Sequence, residues 1–469
     1  MGTTRTIAAM LWELQRLRRR AAWSRAQIEA YQQAQCARLR AQAYAKSRFY
    51  QDFHAGYADA PLHELPVLTK AAVLAHFDEL VTDPSITRAE LTAYTATMRP
   101  DDWWQDRYVV AATSGTTGTP NHMLYSRTEW ATALASFSRF ERHVGSFWGM
   151  RQRPKMAVVA SNTPWHMSAR VGATTRSSWL PMLRLDVGDP ISEIVAQLNA
   201  WQPYLLATYA SMAGVLAEEQ RAGRLNIAPG RIVTAAEVLS PALRQRVQSV
   251  WGDIVFGQYG ATEGGIFAAE CPAHGIVAHE DVAQDSSEAA SYLHAGGLHL
   301  FEDLFIFEVV DRHNRPVAPG RYGDKVLLTV LFNHTVPLIR YELSDSVCIA
   351  TGPCVCGSAY QLIAGIQGRQ EEVLSLPARG GGTVAVHPMV FFRILDPVPV
   401  SGWRIEHTHD GLWLRLSGQP GSVDTDGLMH RLHDALVRQN IIVPPMHVVW
   451  TDDSLRSDSG KVIHICTHT

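Results

Sequence analysis

The sequence has little of what marks secreted, membrane-spanning or nucleic-acid-binding proteins. Six cysteines in 469 residues are too few for a disulfide framework. No apolar run reaches the roughly 18 residues that a membrane-spanning helix needs, and the N-terminus has no apolar signal core. A net charge of −3 gives no reason to expect nucleic acid or a membrane surface as a partner. These absences favour a cytoplasmic protein in a reducing compartment.

The composition is that of an ordinary globular protein. Hydrophobic residues make up 46% of the chain and charged residues 19%, a balance that supports a sizeable core. The length exceeds that of one ordinary domain, so we expect two or more. The sequence leaves open whether the protein is a monomer or a homodimer.

One stretch of small residues is the strongest local signal. Residues 111–120 read Ala-Ala-Thr-Ser-Gly-Thr-Thr-Gly-Thr-Pro and follow the apolar run Tyr108-Val109-Val110, which is typical of a strand end. Glycine permits positive φ, so successive N–H groups can point at one anion, and the hydroxyls add donors. The alternative is a flexible linker, which rarely follows a buried strand. The stretch predicts a polyphosphate-binding loop made by Thr113, Ser114, Gly115, Thr116, Thr117 and Gly118.

Beyond this loop, short apolar segments alternate with amphipathic ones. The strand candidates are Met156–Ala160, Leu205–Tyr209, Arg231–Thr234 and Ile254–Gly257, and the helix candidates between them are Ile191–Trp201, Ser211–Ala222 and Pro241–Trp251. Such alternation predicts an α/β fold with a mostly parallel sheet. Because sites in these sheets form at the carboxyl ends of strands, the residues that follow the strands are the candidates for function.

Several of those segments have side chains suited to a nucleotide. After Ile254–Gly257 comes Gln-Tyr-Gly-Ala-Thr-Glu, residues 258–263. Tyr259 can stack on a base, Thr262 can donate to a phosphate and Glu263 can hold Mg²⁺. A Gly-rich turn with a solvated Glu is the alternative. Three further segments carry candidate groups: Thr-Ala-Ala-Glu at 234–237, Arg-Tyr-Glu-Leu-Ser-Asp at 340–345 and Ser-Gly-Lys at 459–461.

Together these segments resemble the motifs of the adenylate-forming enzymes, which include the acyl-CoA ligases, the adenylation domains of peptide synthetases and the luciferases. They occur in the order typical of that family. Many members have Lys after the Pro of the phosphate loop, where this chain has Asn121. That difference favours the phenylacetate–CoA ligase branch. Gly368 and Arg369 resemble the hinge motif that separates the two domains of the family.

The resemblance assigns roles to individual residues. It implies that Lys461, Thr262 and Glu263 act in catalysis and that Glu263 also binds Mg²⁺. The residues that it assigns to the nucleotide, besides the phosphate loop, are Ala236, Glu237, Gln258, Tyr259, Gly260, Asp345 and Arg369. The residues expected beside the acyl group are Trp165, His166, Tyr209 and Ala235. A lone histidine such as His166 is more often structural, and that alternative stays open.

The resemblance also implies a fold and a reaction. We expect a large N-terminal domain over residues 1–369 with mostly parallel sheets, and a small mobile α+β domain over residues 370–469 that carries Lys461. Family members use ATP and Mg²⁺ to convert a carboxylic acid to an acyl-AMP, and the acyl group then passes to an acceptor, most often coenzyme A. The aromatic and small residues near the site favour a compact aromatic acid. An amine or a carrier-protein thiol as acceptor, and a non-catalytic nucleotide-binding relative, are the alternatives.

A second set of residues indicates a metal. Cys271 and His274 stand close together in the sequence, and Cys354 and Cys356 follow much later. Cysteine and histidine at short spacing are typical of tetrahedral Zn²⁺ sites, and some relatives in the phenylacetate–CoA ligase branch carry a similar arrangement. His279, His294 and His299 compete with His274 as the histidine ligand. The alternative is four reduced residues in two loops. We expect a structural zinc without a catalytic role.

Overall fold

The computed structural model describes residues 2–467 except 113–120, 140–153, 176–180, 188, 190, 272, 274–296, 370–373, 387–388, 396–397, 401, 422, 439–440 and 452–463. Within these residues, every helix is too short or too polar to cross a bilayer. The described helices are Gly2–Arg20, Arg25–Lys46, Arg48–Phe53, Lys70–Ala75, Phe77–Leu80, Arg88–Thr95, Arg127–Arg139, Met167–Thr175, Ile191–Trp201, Ala210–Arg221, Pro241–Trp251, Met389–Leu395 and Thr425–Arg438, with a 3₁₀ helix at Leu62–Glu64.

The strands are labelled in chain order. They are β1 (Tyr108–Ala112), β2 (His122–Ser126), β3 (Met156–Ala160), β4 (Met182–Asp186), β5 (Leu205–Thr208), β6 (Arg231–Thr234), β7 (Val255–Ala261), β8 (Gly265–Glu270), β9 (Leu298–Leu300), β10 (Phe305–Val310), β11 (Lys325–Val330), β12 (Tyr341–Leu343), β13 (Asp345–Ile349), β14 (Leu362–Arg369), β15 (Leu374–Pro377), β16 (Thr383–Val386), β17 (Gly402–Thr408), β18 (Gly411–Ser417), β19 (Met446–Thr451) and β20 (Ile465–Thr467).

The largest described sheet has nine strands in the order β13-β14-β9-β8-β7-β6-β5-β3-β4. Strands β4, β3, β5, β6 and β7 are parallel, and β7, β8, β9, β14 and β13 pair antiparallel. Helices connect the parallel strands, as such crossovers require, whereas a tight turn connects β7 to β8. The predicted α/β fold is confirmed, with the parallel pairing confined to one half of this sheet.

The predicted strands and helices of this region are confirmed with small shifts at their ends. Strand β5 stops at Thr208, because Tyr209 becomes the N-cap residue of the helix Ala210–Arg221. Strand β7 runs on to Ala261, beyond the predicted end at Gly257, because residues 258–261 pair with β8. Pairing with a distant strand is not visible in local hydrophobic periodicity.

The N-terminal region begins with two separate helices. The first ends at Arg20, residues 21–24 are not helical, and the second starts at Arg25. Ser24 caps that helix: its side chain accepts a hydrogen bond from the Gln27 backbone N–H, and the Gln27 side chain accepts one from the Ser24 N–H. This reciprocal capping box fixes the start of the second helix and allows the chain to turn.

The remaining strands form smaller sheets. β1 pairs with β2, the three-stranded sheet is β10-β11-β12, and β15 pairs with β16. Residues beyond 373 contain a four-stranded sheet in the order β19-β18-β17-β20 and a hydrophobic cluster whose buried residues all lie between Leu374 and Ile465. That cluster falls within the part of the chain that the sequence assigns to a small α+β domain. The boundary between residues 369 and 370 stays a prediction.

Candidate functional site

The carboxyl ends of the parallel strands bring together three of the predicted acyl-site segments. Strand order places β3 beside β5 and β5 beside β6, so the segments that follow them share one sheet edge. The Ala235 N–H donates to the carbonyl of Thr208 over 3.2 Å. The carbonyl of Trp165 accepts a 2.9 Å hydrogen bond from the N–H of Ala112, the last residue of β1. The strand that leads into the predicted phosphate loop is therefore fixed to the Trp165 segment.

Two of the predicted acyl-site side chains are held by Ser161. The Nδ1 atom of His166 lies 2.8 Å from Ser161 Oγ. The hydroxyl of Tyr209 accepts a 3.1 Å hydrogen bond from the Ser161 N–H, and the Tyr209 ring is buried. The position of the Tyr209 side chain is therefore fixed. His166 and Trp165 are both half-buried and reachable from solvent.

The turn after β6 has an unusual backbone. Ala236 has a φ of 69°, in the left-handed region that favours glycine, and its side chain is exposed. Such conformations are unfavourable for residues with a Cβ and cluster at functional sites. Next to it, Glu237 accepts a 2.8 Å hydrogen bond from the N–H of Ser211 with its Oε2 atom. This contact caps the helix Ala210–Arg221 and fixes the turn against the sheet.

The turn between β7 and β8 presents Thr262 and Glu263. It is tight: a Cβ at Gly260 would lie 2.3 Å from the carbonyl oxygen of Gly265, and Gly265 has a φ of +84°. Both positions therefore require glycine. Gln258, Tyr259 and Gly260 belong to β7 itself, where Gln258 pairs with Ala269 of β8. The Glu263 side chain is only 6% exposed, so it is held in a fixed orientation beside the turn.

Strand pairing brings together the predicted base and ribose ligands. The Tyr259 hydroxyl donates a 2.6 Å hydrogen bond to Asp345 Oδ2, and the Tyr259 ring packs edge-on against Phe267 and Phe307 at 5.4 and 6.2 Å between centroids. Asp345 is the register partner of Arg369, across β13 and β14. The backbone therefore places a predicted ribose carboxylate beside the predicted hinge arginine.

Three predicted features lie outside the described residues. They are the phosphate loop (Thr113, Ser114, Gly115, Thr116, Thr117 and Gly118), the lysine Lys461 and the histidine His274. For Arg369 the structure describes the backbone alone. The roles assigned to these residues stay predictions.

A group of potential metal ligands lies at the far end of β8. One ligand atom each from Cys271, His299, Cys354 and Cys356 falls within 4.8 Å of the other three. The Cys271 and Cys354 Sγ atoms are 3.7 Å apart, and Cys356 Sγ is 3.2 Å from His299 Nε2. Three sulfurs and one imidazole at this separation match a tetrahedral zinc donor set. Among the described residues, the histidine within reach is His299, one of the competitors that the sequence left open.

Burial shifts the proton equilibria of this group. Burial raises the pKa of the Cys271 thiol to about 12 and lowers the pKa of His299 to about 4. The imidazole is thereby kept neutral, as a metal ligand must be. The buried thiol keeps its proton unless a tightly bound cation displaces it. Cys271 follows the last residue of β8 whereas Glu263 precedes the first, so the length of that strand, roughly 20 Å, separates the two. The cysteine group therefore lies apart from the turn that presents Glu263.

Comparisons with known proteins agree with this geometry. No family model matches the chain. The phenylacetate–coenzyme A ligase of Thermus thermophilus is 25% identical over 297 residues, 62% of this chain and 60% of that ligase's length. The solved structure of a 2-hydroxyisobutyryl-CoA ligase superposes with a TM-score of 0.69 at 19% identity, covering 96% of this chain and 91% of that one. This chain has the fold of the adenylate-forming enzymes.

A solved amide bond synthetase has a similar fold. The amide bond synthetase McbA from Marinactinospora thermotolerans superposes with a TM-score of 0.50 at 14% identity, covering 76% of this chain and 67% of that one. At such low sequence identities, the structural similarity establishes a shared fold and no shared activity. The match to the Thermus ligase spans less than two thirds of that enzyme. It therefore does not establish the activity or the substrates of this chain.

Proposed function

We propose that this protein is an ATP-dependent, AMP-forming ligase that adenylates a carboxylic acid and transfers the acyl group to coenzyme A. The observation that supports it most directly is the 2.6 Å contact between Tyr259 and Asp345. These residues belong to motifs 86 positions apart and meet at the β7 end that also presents Thr262 and Glu263. The similarity to a phenylacetate–coenzyme A ligase adds support from sequence.

The residues present suit the adenylation step. A carboxylate such as Asp345 can accept hydrogen bonds from both ribose hydroxyls. For adenine, we propose contacts with Ala236, Glu237, Gln258, Tyr259 and Gly260. Glu263 would hold Mg²⁺, which prefers oxygen ligands and would neutralise phosphate charge. Loop 113–118 would bind the β- and γ-phosphates, and Arg369 would reach the ribose or a phosphate.

The chemistry is a substitution at phosphorus. A carboxylate oxygen of the acid forms a bond to the α-phosphorus of ATP, and pyrophosphate leaves with the electron pair of the broken P–O bond. Lys461 would contact both reacting groups and offset the repulsion between two anions. In the second step a thiolate attacks the acyl carbon, and AMP leaves. We propose that the small domain rotates about the hinge between these steps.

For the acid, we propose a compact aromatic carboxylic acid. Trp165 and His166 are half-buried, the Tyr209 ring is buried and accepts a hydrogen bond from Ser161, and Ala235 and Ala236 have small side chains. Flat apolar walls favour a ring through buried apolar area, which contributes about 25 cal/mol per Å².

A second candidate differs only in the acceptor. The fold is shared with an amide bond synthetase, so the activated acyl group could pass to an amine, and a carrier-protein thiol is the third acceptor class. No described side chain separates these from coenzyme A. Acceptor trials with a preformed acyl-adenylate distinguish the three.

We further propose that Cys271, His299, Cys354 and Cys356 hold a structural Zn²⁺. The donor set and the spacing of the ligand atoms support it. No disulfide joins any of the six cysteines, all of which lie in the described part of the chain, in line with a reducing, cytoplasmic setting. Whether the protein is a monomer or a homodimer stays open.

The decisive experiment is ATP–pyrophosphate exchange over a panel of carboxylic acids. We expect label to enter ATP only when Mg²⁺ and a suitable acid are both present. The best acid is then offered with coenzyme A, amines and carrier proteins as acceptors. Exchange at background with every acid, by protein that still binds ATP, would favour the non-catalytic nucleotide-binding relative and overturn the proposal.

A further inference from the structure

Two buried tyrosines contact the turn that carries Thr262 and Glu263. The Tyr125 hydroxyl donates a 2.5 Å hydrogen bond to the carbonyl of Thr262. The Tyr341 hydroxyl lies 3.4 Å from Glu263 Oε1 and donates to it. Tyr125 and Tyr341 are 0% and 2% exposed, so water does not compete for these contacts. One tyrosine fixes the backbone of the turn and the other orients its carboxylate.

The two tyrosines belong to sheets other than that of the turn. Tyr125 lies in β2, which follows the predicted phosphate loop, and Tyr341 begins β12 of the three-stranded sheet. The turn itself joins two strands of the nine-stranded sheet. Three sheets therefore meet at Thr262 and Glu263. Any movement of one sheet relative to the others would displace the carboxylate.

A buried amide helps to orient the Tyr341 hydroxyl. The Nδ2 atom of Asn121 donates to the Tyr341 oxygen over 3.5 Å, and Asn121 is 0% exposed. Because the hydroxyl accepts from the amide, its own proton is directed to Glu263. Both contacts are at the long end of hydrogen-bond range, and such bonds commonly tighten when the ligand binds.

The Tyr125 hydroxyl remains a donor over the whole working range of pH. Burial, followed by the nearby charges of Glu263 and Glu129, raises the pKa of Tyr125 well above its ordinary value. The hydroxyl therefore keeps its proton, and the contact with the Thr262 carbonyl persists.

We propose that Tyr125 and Tyr341 are positioning residues that hold Thr262 and Glu263 in the orientation that adenylation requires. Tyr341 acts on the carboxylate proposed to bind Mg²⁺, and Tyr125 acts on the backbone that aims Thr262. The inference rests on the proposed function, since it assigns these residues to that reaction. It predicts different kinetic effects for the two hydroxyl groups.

Tyr125→Phe and Tyr341→Phe each remove one hydroxyl and keep the ring. For Tyr341→Phe we expect the Mg²⁺ concentration at half-maximal pyrophosphate exchange to rise at least about fivefold, because the carboxylate loses its orienting donor. For Tyr125→Phe we expect kcat for exchange to fall about tenfold or more with little change in the Mg²⁺ requirement. The KM of the acid should change less than about twofold in both.

Tyr108→Phe is the matched control. Tyr108 is a buried residue of β1, and its hydroxyl donates a 2.8 Å hydrogen bond to Asp83, away from the turn. This variant should lose thermal stability like the others while its kcat and Mg²⁺ requirement stay at the wild-type values. If the two test variants behave like Tyr108→Phe, the tyrosines have a structural role only and the inference is wrong.

Calorimetry separates this inference from the proposed function. If the wild-type protein shows no exchange with any acid, the role of Tyr341 can still be tested by measuring the affinity for ATP at several Mg²⁺ concentrations. If that affinity depends on Mg²⁺ in the same way in Tyr341→Phe as in the wild type, the inference is wrong. Should Tyr341→Phe not fold, Asn121→Ala replaces it. That variant leaves both tyrosines intact and is expected to raise the Mg²⁺ requirement, whereas an unchanged requirement counts against the network.

Discussion

The Tyr259 hydroxyl donates a 2.6 Å hydrogen bond to Asp345 Oδ2 and so links β7 to β13. The Oδ2 atom of this carboxylate is thereby oriented by the protein. A carboxylate held in this way loses little freedom when ribose binds. The pair connects the proposed base and ribose contacts through a single hydrogen bond.

The first prediction concerns this pair. Asp345→Ala should raise the KM for ATP by roughly tenfold or more, because a charged acceptor contributes about 1.5–3 kcal/mol. The same variant should lose the preference of the wild type for ATP over 2′-deoxy-ATP. Tyr259→Phe is the milder control and should keep that preference. A discrimination between the two nucleotides that survives in Asp345→Ala would remove Asp345 from the ribose site.

The second prediction concerns Lys461, on the strength of its Ser-Gly-Lys context. Lys461→Ala should lower acid-dependent pyrophosphate exchange by roughly 10² or more, since one charge contact in the transition state is lost. Transfer of the acyl group from a supplied acyl-adenylate should be affected much less. Equal loss of both half-reactions would instead indicate damage to the fold.

The third prediction concerns zinc. Purified protein should contain about one Zn²⁺ per chain, and Cys354→Ser or Cys356→Ser should lower metal content and melting temperature together. His299→Ala should do the same, whereas His274→Ala is the matched control and should retain the metal. Metal content near zero in protein never exposed to chelator would contradict the site. Loss of metal in His274→Ala but not in His299→Ala would identify His274 as the histidine ligand.

The fourth prediction concerns the acid. In the exchange assay, benzoic, phenylacetic or cinnamic acid should give a higher kcat/KM than fatty acids of four to twelve carbons, because we propose an acyl site lined by the aromatic side chains of Trp165 and Tyr209 and expect no long tunnel. If the kcat/KM of a fatty acid or amino acid exceeds that of every aromatic acid by more than about tenfold, or 1.4 kcal/mol of transition-state binding, the proposal of an aromatic acid as substrate is wrong. Adenylation itself would stand.

The fifth prediction concerns acid stability. Burial, with smaller contributions from Arg40 and Arg88, lowers the pKa values of His54 and His122 from 6.5 to about 4. Below pH 6.5 the unfolded chain binds protons that the folded chain does not, so stability present above pH 6.5 should be lost as the pH falls toward 4. Urea midpoints at pH 7.5 and pH 5 measure this loss.

His122→Phe tests the contribution of one imidazole. His122 is 2% exposed, and its ring contacts Phe77, so phenylalanine is a suitable replacement. The difference between the two urea midpoints should be smaller in this variant than in the wild type. His433→Phe, at an exposed surface position, is the control and should leave the difference unchanged. A difference that is the same in all three proteins would exclude His122 as a source of the pH dependence.

The sequence alone determined the α/β alternation, because hydrophobic periodicity is local. Met156–Ala160, Arg231–Thr234 and Pro241–Trp251 are predicted and observed with the same bounds. The order of the short motifs likewise indicated the resemblance to the adenylate-forming enzymes, because each motif is contiguous in the chain.

Only the tertiary structure decided which distant residues meet. Tyr125 lies 137 positions from Thr262, and no local pattern marks it as a partner of that turn. His299 and Cys356 come together because β9 pairs with β14, a register that depends on the packing of the whole sheet. Periodicity gives each strand its buried face, but contacts between strands are set by long-range burial and by the hydrogen bonds of the assembled sheet.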